Sequence, residues 1–128
     1  MGIIMENNRA VTLCQNWLAS WSGNKPEALI NFYHDDIYYC DPARPQGIKG
    51  KENLLNYFHK LLAKYPDWIW EMIELFPQPT GFLLKWRAKL SPQAETVFFG
   101  LDIVEIKDDK IIRNEVFFDP SLMRVSGI

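Results

Sequence analysis

Apolar side chains recur at intervals of three and four through the first half of the chain. Between 6 and 21 they are Val11, Cys14, Trp17, Leu18 and Trp21, the spacing of an amphipathic helix that stops at Ser22-Gly23-Asn24. Asn24 followed three residues later by Glu27 has the form of a capping box, with Pro26 accommodated in the first turn, so a short second helix is predicted to about Phe32. Leu54, Leu55, Phe58, Leu61 and Leu62 place a third helix over 52–64, closed by Pro66. Between these helices, 37–41 is rich in β-favouring residues and predicts a short strand, and the two Pro and two Gly of 42–50 predict a loop.

Beyond Pro66 the period changes to two. Segments 68–76, 81–90, 96–107 and 110–118 read as strands joined by short turns, which implies an antiparallel meander. Helices and meander bury their apolar sets together only if the helices cover one face of the sheet, an α+β solution. The 128 residues suit one domain over 1–128, with no internal repeat. Phe99, Leu101 and Ile103 alternate with Phe98 and Val104, so both faces of the last strands are apolar. The outer face is therefore expected to seat a second copy, making a homodimer.

Composition narrows the function. Apolar residues make up 48% and aromatics 14%, five Trp among them, enough for a core and for a cavity lined by flat side chains. Fourteen basic residues against sixteen acidic give a net charge of −2 with no basic run, which argues against a nucleic-acid partner. Cys14 and Cys40 lack zinc-site spacing and are expected to be buried reduced thiols. No phosphate loop or dinucleotide fingerprint is present, so no cofactor and no metal are expected. The first eight residues lack a signal-peptide pattern and no apolar run reaches membrane length, which predicts a soluble, cytoplasmic protein without membrane contact. His34 and His59 sit among polar residues and are expected at the surface.

The candidate chemistry lies in carboxylates. If Asp108-Asp109 is a two-residue hairpin turn, Lys107 faces Lys110, and counting sets Asp102 opposite Glu115, Gly100 opposite Phe117 and Phe98 opposite Asp119. Two carboxylates facing each other among apolar neighbours share a proton, and the neutral acid donates a hydrogen bond at pH 7. That is the requirement for stabilising a developing oxyanion. Asp41, ahead of Pro42, has by itself only the look of a turn former.

Phe32-Tyr33-His34-Asp35-Asp36, Cys40-Asp41-Pro42, Pro45, Gly47 and Asn56-Tyr57-Phe58 resemble the same stretch of bacterial ketosteroid isomerases in order and spacing. The resemblance implies that Asp41 is the general base moving a proton between carbons beside an enone, and that Asp102, in Gly100-Leu101-Asp102-Ile103-Val104, is the protonated acid of the oxyanion hole. The hydrogen-bonding Tyr of that family falls at Asn16 or Trp17, and Glu115 has no counterpart there. From Gly100 through 110–115 to Phe118-Asp119 the chain is more similar to the SnoaL-like group, relatives of polyketide cyclases. Both resemblances imply the cone-shaped nuclear transport factor 2-like fold, with three N-terminal helices on a curved, mainly antiparallel sheet.

The leading expectation is a pocket for a small, apolar carbonyl compound, with Asp41 as proton shuttle and Asp102, coupled to Glu115, as neutral donor. Trp17, Tyr33, Tyr39, Tyr57 and Trp86 are the aromatic candidates for its wall, joined by Phe117 and Asp119 from the counted register. One alternative is a domain of the same fold that binds a ligand or a protein without catalysis. The other is water activation, as in epoxide hydrolases or dehydratases, for which Arg87 or Arg113 would have to stand beside the acids.

Overall fold

The computed structural model describes residues 7–121. Its helices are α1 (Asn7–Ala19), α2 (Pro26–Ile30) and α3 (Lys51–Lys64). The strands are β1 (Tyr33–Asp41), β2 (Arg44–Lys49), β3 (Ile69–Gln78), β4 (Gly81–Lys89), β5 (Phe98–Lys107) and β6 (Lys110–Phe118). They form one six-stranded sheet in the order β2-β1-β6-β5-β4-β3. The meander from β3 to β6 is antiparallel as the period implied, but β6 returns beside β1 in parallel, so the sheet is mixed. Among the described residues no helix is long and apolar enough to cross a membrane.

The α+β arrangement follows from one apolar sheet face. β4 buries Phe82, Leu84, Trp86 and Ala88 at alternate positions, and β5 buries Phe98, Asp102 and Val104. α1 adds Ala10, Cys14, Trp17 and Leu18 and packs against β3, while α3 adds Leu54, Tyr57, Phe58 and Leu62 and packs against β1 and β2. Each large apolar side chain so buried contributes about 1.5–3 kcal/mol relative to exposure. The opposite face of the meander is open, with Phe99 56% and Phe117 49% exposed.

Three expectations are corrected. Residues 42–50 are not a loop: a turn at Pro42 and Ala43 leads into β2, an edge strand. Pro45 is tolerated because an edge strand has a neighbour on one side only. The capping box at Asn24 does not form, because Asn24 sits at φ 53° and α2 starts after Lys25 with no side-chain cap. An N-cap needs extended backbone, which a left-handed residue does not have. The three helices precede the meander β3–β6 as expected, with β1 and β2 between α2 and α3. Cys14 is buried and Cys40 only half-buried, both as free thiols.

The last hairpin contains the correction that matters most for the site. Asp108 and Asp109 both take positive φ, 53° and 62°, and Lys107 does face Lys110. A bulge then intervenes, because Ile106 pairs with Ile111 and Glu105 with Arg113, leaving Ile112 as an extra residue on β6. Past it, Asp102 faces Val116, Ile103 faces Glu115 and Gly100 faces Phe118. Glu115 and Phe117 therefore lie on the open face, and Asp102 on the helix-covered one.

Gly100 faces Trp86 across β4 and β5, and a Cβ on Gly100 would run into the indole ring and come within 2.7 Å of the Phe117 carbonyl oxygen. The missing side chain is what lets the ring lie against the sheet. Gly100→Ala is expected to destabilise the fold by about 1–3 kcal/mol through overpacking, read from the urea midpoint, whereas an unchanged midpoint would mean that the indole moves freely.

Candidate functional site

Between α3, the end of α1 and the covered face of the sheet lies a cavity of about 330 Å³. Its wall is aromatic, with Trp21, Tyr39, Tyr57, Tyr65, Trp68, Trp70, Trp86 and Phe118, and among the described residues two acids line it, Asp41 and Asp102. The tryptophans pack edge to face, Trp21 on Trp68 at 6.1 Å, Trp68 on Trp70 at 4.9 Å and Trp70 on Trp86 at 4.5 Å. Such contacts fix ring orientation as well as burying area. The Trp70 Nε1–H is buried without a hydrogen-bond partner among the described residues.

Asp102 is 4% exposed. Its Oδ1 accepts from Trp86 Nε1–H at 2.7 Å and its Oδ2 from Asn114 Nδ2–H at 2.9 Å. The orientation of Asn114 follows from donor bookkeeping. Trp17 Nε1 can only donate, and it donates to the Tyr33 hydroxyl at 3.0 Å. Tyr33 in turn donates to Asn114 Oδ1 at 3.1 Å, which turns the amide nitrogen toward Asp102. Burial pushes the Asp102 carboxyl up to about 7, against the pull of the Asn114 and Trp86 hydrogen bonds, and the charge of Asp41 pushes it the same way as burial. Two of its four acceptor directions remain open for a proton.

Asp41 is bound differently. It ends β1, and its Oδ1 accepts from the backbone N–H groups of Ala43 and Arg44 at 2.8 and 2.9 Å, forming the turn into β2. Its Oδ2 accepts from the hydroxyls of Tyr39 and Tyr57 at 2.7 and 2.6 Å. Burial, and after it the Asp41 charge, hold both phenols above their ordinary range, so they stay protonated as donors. All four acceptor directions of Asp41 are filled, and it takes up a further proton only by releasing one donor.

The cavity thus brings together Asp41, Asp102, Tyr39, Tyr57 and Trp86. It does not include Glu115, which faces outward and accepts from Arg113 Nε–H at 2.6 Å. Trp17 and Tyr33 are in the core beneath the floor, acting through Asn114. Phe117 is on the open face. Asp119 is exposed past the end of β6, where its Oδ1 accepts from the Ser121 N–H at 3.0 Å. Arg87 pairs with Glu71 and Arg113 with Glu105 and Glu115, all away from the acids. Among the described residues the arginine that lines the cavity is Arg44. Asn114 went unpredicted, although the charges at 113 and 115 mark those positions as outward and 114 as inward. Among the described residues no group of His, Cys, Asp and Glu has the arrangement to hold a metal ion.

The raised Asp102 carboxyl sets a sign for stability. From the ordinary carboxylate range up to about 7 the folded state holds a proton that the unfolded state has lost. Stability is therefore expected to fall as pH rises through that window, by a few kcal/mol, at roughly 1.4 kcal/mol per pH unit at most, and to level off above it. Asp102→Asn removes this contribution. The difference between the urea-denaturation free energies of wild type and variant should drift against the wild type from pH 5 to 8, and a pH-independent difference would contradict it.

Solved structures share the fold. A SnoaL-like protein of unknown function from Burkholderia thailandensis superposes with TM-score 0.78 at 16% identity, over 91% of this chain and 98% of its own. A provisionally assigned ketosteroid isomerase from Kribbella flavida gives 0.68 at 17%, over 88% and 78%. TerC, crystallised with polyporic acid, gives 0.73 at 11%, over 91% and 95%. At such identities the likeness is one of fold alone. No curated protein matches the chain. The sequence profile of the SnoaL-like domain matches residues 14–114, and on that match over most of its length this chain belongs to the SnoaL-like family.

Proposed function

We propose that the cavity takes a small, flat, largely apolar carbonyl compound and promotes its enolisation. Asp102, in its protonated form, donates a hydrogen bond to the carbonyl oxygen and stabilises the enolate as charge moves onto that oxygen. Asp41 takes the proton from the neighbouring carbon, releasing one tyrosine hydroxyl as it does so, and returns the proton to the same or a conjugated carbon. No cofactor enters the step. One observation carries this reading: a buried acid, pushed up to about 7, shares an aromatic cavity with a second carboxylate.

A second reading has its own support in the four donors already bound to Asp41. In it the cavity binds the same class of compound and Asp41 serves as a fixed acceptor that shapes the turn, with no turnover.

Hydrogen exchange separates the two. With 2-acetylnaphthalene in D₂O, the methyl protons beside the carbonyl are followed by proton NMR. Catalysed exchange is expected, slowed about 100- to 1000-fold by Asp102→Leu and by a comparable factor in Asp41→Asn. Quenching of tryptophan fluorescence by the ketone without catalysed exchange would overturn enolisation in favour of binding.

A further inference from the structure

The cavity has a mouth whose charge runs against that of the whole chain. Arg44, Lys60 and Lys64 line it, all exposed, and none of the three forms an ion pair among the described residues. The net charge of the protein is −2, yet among the described residues no acid other than the interior Asp41 and Asp102 lines the cavity to offset these cations. Two of them rest on its aromatic wall. The Arg44 guanidinium lies 4.9 Å from the centre of the Tyr57 ring, and Nη1 donates to the Ala43 carbonyl at 3.0 Å. Lys64 Nζ is 5.6 Å from the centre of the Tyr65 ring, which stacks on Trp68 at 5.0 Å. Lys60 stands one turn before Lys64 on α3.

The position of Arg44 is tied to the interior. Its backbone N–H and that of Ala43 are held by Asp41, and the ring beneath its guanidinium donates to the same carboxylate. Orienting Asp41 thus also orients a cation at the entrance.

We infer that the ligand is an aromatic acid: a flat apolar body with a ketone at the inner end and a carboxylate at the outer. This rests on the reading of the cavity as a carbonyl site and adds the second functional group. The orientation follows from charge. A carboxylate pushed inward would lose its water beside Asp41, whereas at the mouth it stays partly hydrated and meets three cations. The two-ring body suits about 330 Å³, at the small end of the roughly 300–1,000 Å³ usual for ligand pockets.

The test compares 6-acetyl-2-naphthoic acid with 2-acetylnaphthalene, which carries the same ketone and no carboxylate, by quenching of the cavity tryptophans. The readout is the ratio of the two dissociation constants. The acid is expected to bind roughly tenfold tighter at low salt, the size of a few exposed charge pairs acting together. The ratio should shrink toward one at about 0.5 M salt, where screening shortens the reach of the cations. Arg44→Met with Lys60→Met and Lys64→Met should abolish it, and each single Lys→Met change should remove part. Circular dichroism checks that the variants stay folded. Equal affinities in wild type, or a ratio unchanged in the triple variant, would overturn the acid-end inference while leaving the carbonyl site standing. Failure of both compounds to bind would overturn both.

Discussion

A carboxyl group removed from water with no counter-charge beside it is the constraint on which the rest of the molecule depends. Asp102 lies on the covered face of β5 between apolar neighbours, and the donors that reach it are neutral, an indole and an amide. Neutral donors satisfy the oxygens without cancelling the charge, so burial prevails and the proton is held to about 7. Much of the surrounding architecture serves those two donors. Gly100 lacks a side chain so that Trp86 can lie against the sheet, and the Trp17-Tyr33 pair in the core keeps Asn114 turned the right way.

The two acids of the cavity differ in how many donors each receives. Asp41 receives four, two from backbone and two from phenols, whereas Asp102 receives two. One is held in place on every side, and the other has acceptor directions left open. A pair of carboxyl groups so differentiated is what acid-base chemistry at neutral pH uses, one group prepared to donate and the other to accept. The cations at the mouth complete a gradient from a charged entrance to an interior of ring faces.

Much of the fold was legible in the sequence because it depends on period. The spacing of Val11, Cys14, Trp17 and Leu18, and the alternation through Phe82, Leu84 and Trp86, reflect burial on one face, which local pattern reports directly. The site was less legible because it depends on register. Counting from the Asp108-Asp109 turn was sound for two pairs and failed at the third, where the bulge at Ile112 shifts β6 by one residue. A shift of one exchanges the faces, so it put Val116 rather than Glu115 opposite Asp102 and turned Asn114 inward, within hydrogen-bond reach of the acid. Arg44 was hidden for a different reason: Pro45 and Gly47 made an edge strand look like a loop. Asp41 and Asp102 could be named from short motifs continuous in sequence, and both line the cavity.

Family membership and fold limit the chemistry without choosing it, since one scaffold hosts many reactions. The proposed chemistry turns on the protonation state of one side chain, Asp102, at neutral pH. The most direct measurement is carbon-13 NMR of the Asp102 carboxyl, assigned with Asp102→Asn and followed from pH 4 to pH 9. The account predicts a single titration centred near 7, whereas a carboxyl already ionised at pH 5 would contradict it.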